Sequence, residues 1–348
     1  MEVEIINSEK FSKIADVIFS EVTNINAFSN LENKENLHII DKTDTKDVSL
    51  VWYVTKKLNI ADGDIVFCKT ELVEYFFKTI EKNNNLKNLV LITSQSDVSI
   101  DKNLYLKKPK SVKTWFAVNV VHQAVDLIPL PLGVNNSYIL KFPQEDDFID
   151  KNLQDINQKQ KKFYLNFNMN TNPFHRFHTI LSMAFKKDTV IKPANISKTE
   201  YLNDLEKYKY IICPLGNGFD SHRIWEAIYS NSIAVVKKHP AFQTFDGLPL
   251  IQSSNFINTN TKNISNELIY DLKKADFGYW KKLLESTKTP SSKNSINIDF
   301  QEELQEFFVE LNKYNKMIYK MKSRRALIFK TYKFIFKIIF FKKFKNLL

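Results

Sequence analysis

The sequence predicts an α/β protein made of two doubly wound halves. Short apolar runs alternate with segments of helical periodicity along most of the chain, and such alternation favours parallel strand pairing. A polar stretch at 142–162 interrupts the alternation once. The length of 348 residues corresponds to about two domains of average size. We therefore expect two Rossmann-like domains that face a cleft, at 1–150 and 160–300, and one large α/β domain is the alternative.

The first half contains five short apolar runs that predict strands. They cover 37–40, 49–54, 64–68, 88–93 and 127–134. Leu72, Phe76 and Ile80 recur at helical spacing, and Thr70 can cap the start of that helix at 70–84. A second helix is predicted at 110–124.

The second half repeats the alternation without any internal sequence repeat. Strands are predicted at 162–170, 232–238 and 248–252, a strand and turn at 189–197, and a strand that runs into a glycine-bearing loop at 210–218. Helices are predicted at 171–187, 198–209, 220–231 and 263–287. In such folds ligands lie at the carboxyl ends of the strands, where loops meet helix N-termini.

The positive charge of the chain is concentrated at one end. Lys and Arg exceed Asp and Glu by 11, yet twelve basic residues and no acidic residue follow position 310, which leaves the first 310 residues with a net charge of −1. A neutral body disfavours nucleic acid as a partner. Cys68 and Cys213 lie in apolar runs without metal-ligand spacing, which indicates buried thiols in a reducing compartment. The acidic N-terminus has no signal-peptide pattern, and no run is long enough for a membrane span, so we expect a cytoplasmic protein.

Arginine is scarce in this lysine-rich chain. Of 50 basic residues only four are Arg, and two of these, Arg176 and Arg223, precede position 320. A guanidinium group binds phosphate or carboxylate at two points, which an ammonium group cannot do. These two residues are therefore candidates for anion binding, and a structural pairing with a carboxylate is the alternative.

The segment 208–238 carries the densest chemical signal. Gly216 and Gly218 follow a predicted strand, and Asp220 or Ser221 can cap the next helix. Arg223 lies in the first turn of that helix, and Glu226 lies three residues later on the same face. Backbone N–H groups and a cation suit a diphosphate, and a carboxylate suits sugar hydroxyls. A surface pair of Arg223 with Glu226 is the alternative.

This strand–loop–helix segment resembles the nucleotide-sugar core of exostosin-like glycosyltransferases over roughly residues 160–255. The sequence departs from the family at Ala234, where a Pro often follows the Ile of the next strand. The resemblance implies the GT-B fold, with the donor held mainly by the second domain and Arg223 neutralising its diphosphate. It also implies that Glu226 holds ribose or sugar hydroxyls. The loop expected to line the pyrophosphate or sugar comprises Gly216, Asn217, Gly218, Asp220 and Ser221, followed by His222.

The second arginine lies in a similar place. The pattern at 162–170 puts Asn166, Asn168 and Asn170 on one side of a strand, and Arg176 comes early in the next helix. We expect Arg176, Arg223 and Asn168 to converge on one anionic ligand. No Asp-x-Asp lies beside an apolar strand, so we expect departure of the nucleoside diphosphate without a metal and without a cofactor beyond the nucleotide-sugar substrate.

A general base would come from the first domain. Asp97 follows a predicted strand end and is the residue that we select, with His122 and Asp126 as alternatives. A capping or surface role remains open for each of the three. Trp115 or Trp225 could serve as a platform for a sugar ring.

The C-terminal region is predicted to be a helix at 301–322 followed by a tail at 323–348. Lys330, Lys333 and Lys337 mark one helix face, and Phe, Ile and Leu cover the rest. Lysines interrupt the apolar run too often for a span, so an amphipathic helix on an anionic membrane surface is expected. A helix packed on the body or a nucleic-acid-binding tail are the alternatives.

These observations predict a metal-independent glycosyltransferase that acts on a glycan or lipid-linked acceptor in surface polysaccharide synthesis. It would lie on the inner face of the cell membrane. A nucleotide-sugar epimerase or dehydrogenase would need a G-x-G-x-x-G motif, which the chain lacks. A membrane-attached, catalytically inactive protein that binds glycans or nucleotides is the remaining alternative.

Overall fold

The computed structural model describes residues 3–82, 85–149, 153, 155–261, 264, 270–289 and 294–300. Contacts within the chain divide it into two compact units. The first unit comprises the described residues of 1–149, 239–246 and 272–307, and the second those of 150–238 and 247–271. Both units are of the mixed α/β type with parallel sheets.

The first unit begins with nine strands and four short helices. The strands are β1 (Val17–Ile18), β2 (Ser20–Asn24), β3 (Leu37–Asp44), β4 (Ser49–Thr55), β5 (Lys57–Ala61), β6 (Ile65–Lys69), β7 (Leu89–Ser94), β8 (Val112–Ala117) and β9 (Leu127–Pro129). The helices are α1 (Ser8–Lys13), α2 (Ile25–Ser29), α3 (Val73–Glu81) and α4 (Lys102–Tyr105). Five of the strands form a parallel sheet in the order β1-β6-β7-β8-β9.

Two predictions for this unit were wrong, the pairing of two strands and one helix. The runs at 37–40 and 49–54 form strands as expected, within β3 and β4, but β4 pairs antiparallel with both β3 and β2 in a separate sheet. The segment 110–124 was expected to be helical, yet it contains β8 between β7 and β9. β8 is continuously apolar only from Trp115 to Ala117, and periodicity does not separate so short an apolar run from a segment of a buried helix.

The second unit contains five strands and three helices in its described residues. They are β10 (Gln160–Leu165), α5 (Pro173–Met183), β11 (Thr189–Ile191), α6 (Lys198–Lys207), β12 (Tyr208–Ile212), α7 (His222–Tyr229), β13 (Ile233–Lys237) and β14 (Leu250–Ser253). All strand pairs are parallel, in the order β11-β10-β12-β13-β14. Counted within the unit, this order is 2-1-3-4-5, a doubly wound arrangement.

The sheet of the second unit is buried by helices with apolar inner faces. Phe177, Ile180 and Met183 of α5 pack on Phe163 and Leu165 of β10 in one apolar cluster. Local signals explain the helix starts: Asn172 caps α5 ahead of a Pro at its first position, and Ser197 caps α6. The elements therefore form as their sequence predicts, with most boundaries shortened.

The last described elements return to the first unit. Helix α8 (Phe277–Thr287) begins with Phe277, whose N–H donates to Glu4 O at 2.8 Å, and strand β15 (Ser295–Asp299) pairs antiparallel with β5. Contacts within the chain group 239–246 and 272–300, which fall inside the predicted domain at 160–300, with the first unit. Of the helix predicted at 263–287, α8 and a 3₁₀ turn at Leu272–Ala275 are described.

No helix among the described residues is long and apolar enough to cross a membrane. The predicted helix at 301–322 and tail at 323–348 lie outside the described residues.

Candidate functional site

The second sheet has its topological switch point between β10 and β12. The chain leaves β10 towards β11 on one side, and β12 lies on the other side, so the loops after β10 and β12 diverge at the carboxyl edge. These loops are 166–172 and 213–221. Asn172 ties them together because its Nδ2 donates to Gly216 O at 2.9 Å. The sequence-predicted residues of the second unit lie in these two loops or in the first turns of α5 and α7, except Glu226, which lies one turn further along α7.

Arg176 braces the two loops from within. Its side chain is 4% exposed, and its Nε donates to Leu215 O at 3.1 Å while its Nη1 donates to Asn168 O at 2.5 Å. Asn168 was expected on a strand, but β10 ends at Leu165, and Asn168 instead caps a 3₁₀ turn by accepting the N–H of Asn170 at 2.9 Å. Arg176 therefore has a structural task in addition to its positive charge.

Gly216 lies directly beside this arginine. A Cβ atom at position 216 would lie 3.4 Å from Arg176 Nη2, which is ordinary van der Waals contact. Neither Gly216 nor Gly218 is among the glycines with positive φ. Neither the packing of Arg176 nor a left-handed turn therefore requires a glycine at position 216.

Arg223 is the second residue of α7 and is partly buried. Its Nε atom is buried and has no hydrogen-bond partner among the described residues. The guanidinium carbon lies 5.9 Å from the centre of the Tyr201 ring, and Tyr201 donates its hydroxyl to Glu226 Oε2 at 2.6 Å. Burial alone would lower the pKa of Arg223, but the neighbouring Tyr201 and Glu226 outweigh it and raise that pKa. Arg223 is therefore a permanent cation at the start of α7.

The two arginines act on each other electrostatically. Burial, and after it the charge of Arg223, lowers the pKa of Arg176 to about 9. Among the described residues the hydrogen-bond partners of Arg176 are neutral carbonyl groups. An anion bound between the loops would remove this repulsion, so the pair favours a negatively charged ligand.

Of the other predicted residues around α7, some are buried and hydrogen-bonded within the fold, and the rest lie in the loop or at the start of the helix. Glu226 is buried and held by Tyr201, which excludes the alternative of a surface pair with Arg223. Asp220 is buried and accepts Trp225 Nε1 at 2.9 and 3.1 Å, so it stabilises the start of α7 from behind. Ser221 is the N-cap residue, but its side chain makes no capping bond. Asn217 is exposed, and His222 is partly exposed at the first position of α7.

Further positive charge lies at the same edge. Lys237 is exposed at the carboxyl end of β13. Burial, and after it the charges of Lys237 and His178, lowers the pKa of His175 in the first turn of α5. This interaction places His175 near Lys237, so positive charge at this edge is not confined to the two arginines.

The candidates for a general base belong to the first unit. Asp97 is exposed in the loop after β7, at the carboxyl edge of that sheet. Asp126 accepts the Tyr105 hydroxyl at 2.6 Å and pairs with Lys108 at 3.1 Å. Partial burial would raise the pKa of Asp126, but these two partners outweigh it and lower that pKa, which makes Asp126 a weak base. The His122 ring lies 4.9 Å from that of Tyr105.

Neither tryptophan proposed as a sugar platform is accessible. Trp115 and Trp225 are both fully buried, and their indole N–H groups donate to Thr93 Oγ1 and to Asp220. Among the described residues, no group of three or more His, Cys, Asp or Glu side chains could hold a metal ion.

Sequence reasoning missed two residues that shape this site. Asn172 is recognisable, because an Asn directly before a Pro at a helix start is a capping signal. Tyr201 has no such signal: it lies on α6, and only the packing of α6 beside α7 brings its hydroxyl to Glu226.

Comparison of the chain with protein-family models and with curated proteins finds no match. The resemblance to exostosin-like glycosyltransferases over roughly residues 160–255 therefore stays a prediction from the sequence.

Proposed function

We propose that this protein is a metal-independent glycosyltransferase that takes its sugar from a nucleoside-diphosphate donor. The observation that carries the proposal is the pair Arg176 and Arg223 at the switch point of the second sheet, where doubly wound folds bind ligands. Two guanidinium groups beside two glycines and the start of a helix suit a diphosphate better than a single carboxylate.

The proposed chemistry is electrostatic. As the bond between the sugar and the diphosphate breaks, negative charge grows on the departing oxygen, and Arg223 would stabilise it without a metal ion. Arg176 would hold both loops in the geometry that binds the phosphates, because it bonds to Leu215 O and Asn168 O. Glu226 accepts a hydrogen bond from Tyr201 and would hold the Arg223 side chain in position by its charge. It would also approach the hydroxyls of the ribose or the sugar.

The remaining parts of the proposal concern the first unit and the tail. In a GT-B arrangement the first unit would present the acceptor across a cleft, with Asp97 as the general base. The tail at 323–348 would attach the protein to an anionic membrane surface, on the cytoplasmic side, where lipid-linked glycans are built. A catalytically inactive protein that binds glycans or nucleotides at the same membrane is the second candidate, favoured by the bracing role that Arg176 has in this structure.

Isothermal titration of the full chain with UDP, GDP and CMP, each in the presence of EDTA, tests the binding step. We expect one nucleoside diphosphate to bind, and Arg223→Lys to weaken it. Incubation with the matching nucleotide sugar then separates the two candidates: release of the nucleoside diphosphate in the presence of glycan acceptors supports the transferase. Binding without release supports the inactive protein, and the absence of binding to any nucleotide contradicts the transferase and favours an inactive protein that binds glycans.

A further inference from the structure

The segment 101–113 places a group of lysines on the surface of the first unit. Beside a single acidic residue, Asp101, it contains Lys102, Lys107, Lys108, Lys110 and Lys113. Four of these lysines are exposed and Lys108 is partly buried. The first 310 residues as a whole have a net charge of −1, so this concentration of positive charge is a local feature of a neutral body.

Two acidic side chains from other segments neutralise part of this charge. Glu74 of α3 pairs with Lys107 at 2.6 Å, and Asp126 pairs with Lys108 at 3.1 Å. With Asp101, three carboxylates stand against five ammonium groups, which leaves a net charge of +2. The surface around α4 therefore stays positive after its ion pairs are counted.

Two exposed apolar side chains lie among these charges. Leu106 directly follows α4 and is 67% exposed, and Val125 is fully exposed. Val125 occupies a corner of the turn that a hydrogen bond closes from Leu127 N–H to Ala124 O at 3.3 Å. Gly, Pro, Asn, Asp and Ser are the usual residues of such turns, so the turn itself gives no reason for an exposed β-branched residue.

Side-chain bonds hold the two apolar residues close together. The Tyr105 hydroxyl donates to Asp126 Oδ1 at 2.6 Å, and the Lys108 ammonium pairs with the other oxygen of the same carboxylate. Tyr105 and Asp126 are the neighbours of Leu106 and Val125 in the chain. We call Leu106, Val125 and the five lysines of 101–113 the basic apolar surface.

We propose that the basic apolar surface docks on an anionic lipid membrane, with its two apolar side chains in the headgroup region and its lysines at the lipid phosphates. Charge decides between the possible occupants. A second copy would present the same excess of lysines, and the tail at 323–348 is basic without any acidic residue, so both would be repelled. An anionic lipid surface attracts the lysines and also accepts the exposed apolar side chains.

This surface deepens the membrane attachment proposed for the tail and rests on it. A net charge of +2 and two apolar side chains are too few to hold the protein alone, and stable attachment of a peripheral protein takes two signals. The tail would supply the first signal. The basic apolar surface would supply the second once the tail has brought the protein to the membrane, and would fix the direction in which the first unit faces the lipid.

A fluorescent label at position 125 of the full-length protein tests this contact. The two native cysteines are buried, so in Val125→Cys a polarity-sensitive dye reaches the new thiol. Ile39→Cys, at a position of β3 that is 46% exposed, is the labelled control. With phosphatidylglycerol vesicles at low salt, we expect a blue shift and quenching by brominated acyl chains for the label at 125 and neither for the label at 39. Phosphatidylcholine vesicles should leave both labels unchanged.

Matched charge variants measure the contribution of the lysines. The triple variant Lys102→Gln, Lys110→Gln, Lys113→Gln should bind phosphatidylglycerol vesicles about 10- to 100-fold more weakly than the wild type, because each lysine near such a surface contributes up to about fivefold. The control removes three charges from other exposed positions of the first unit, with Lys42→Gln, Lys46→Gln and Lys281→Gln. This control should bind nearly as the wild type does.

The inference is overturned if the label at 125 keeps its spectrum while the full-length protein co-sediments with the vesicles, and the tail alone then accounts for attachment. It is also overturned if the two labels respond alike, if the two triple variants bind alike, or if the full-length protein never co-sediments. A label at 125 that responds to heparin and not to vesicles would assign the surface to a soluble polyanion instead. Nucleotide titration of the same variants reports on the anion site separately, so a failure here leaves the proposed transferase chemistry standing.

Discussion

Replacement of Arg223 by Lys gives the sharpest test of the anion site. The Nε atom of Arg223 has no hydrogen-bond partner among the described residues, so the fold loses no bond from that atom when Lys replaces Arg. The positive charge beside Glu226 is also retained. We therefore expect the free energy of unfolding of Arg223→Lys to stay close to that of the wild type.

The effect on the ligand should be much larger. A Lys ammonium cannot make two parallel bonds to a phosphate, and the loss of one charge-assisted contact to the departing diphosphate costs about 2–4 kcal/mol. This corresponds to a loss of about 30- to 1,000-fold in kcat/KM. The affinity for the free nucleoside diphosphate should fall as well, by a smaller factor, because its charge is already present in the ground state.

Arg176→Lys is the matched comparison. It removes the same guanidinium group, but from a side chain that also holds two loops together by hydrogen bonds. The bonds to Leu215 O and Asn168 O are each worth about 0.5–1.5 kcal/mol, so this variant should lose about 1–3 kcal/mol of stability together with its affinity.

The assay combines urea denaturation of both variants with titration of the nucleoside diphosphate and a transfer measurement. Near-normal affinity and turnover in both Lys variants would refute the anion-site reasoning. If both variants lose the same free energy of unfolding, the conclusion that only Arg176 stabilises the fold through its side-chain hydrogen bonds is wrong.

Three further predictions test other parts of the molecule. Glu226→Gln should raise the KM for the donor because it weakens the hydrogen bond between Tyr201 and residue 226 beside Arg223. EDTA should leave the activity unchanged, and strict dependence on Mg²⁺ or Mn²⁺ would contradict the proposed chemistry. Lys159 is buried, and burial lowers its pKa from 10.5 to about 8, so the unfolded chain holds this proton more tightly. The free energy of unfolding should therefore rise with pH between about 8 and about 10.5, and this slope should be shallower in Lys159→Met; equal slopes from urea denaturation at several pH values would show that Lys159 is not responsible. Truncation after Lys322 should abolish co-sedimentation with phosphatidylglycerol vesicles at low salt while nucleotide binding persists, and a full-length chain that never co-sediments would contradict the membrane assignment.

The sequence by itself determined the elements of the second unit and the place of Arg223. The apolar runs, the caps at Asn172 and Ser197 and the loop before α7 are local signals, and residues close in sequence carry them. Because parallel strands place their carboxyl ends at one edge, the strand–loop–helix pattern also located the candidate site before any contact was known.

Tertiary structure alone decided the rest. β15 pairs with β5 although about 240 residues separate them, and no local pattern encodes such a partner. β8 contains only a short apolar run, and its pairing with β7 and β9 makes it a strand. The bracing bonds of Arg176 and the contact of Tyr201 with Glu226 arise between elements that the sequence does not order in space. The hydrogen bonds and packing contacts of these residues come from segments far away along the chain, so the sequence around each residue does not show them.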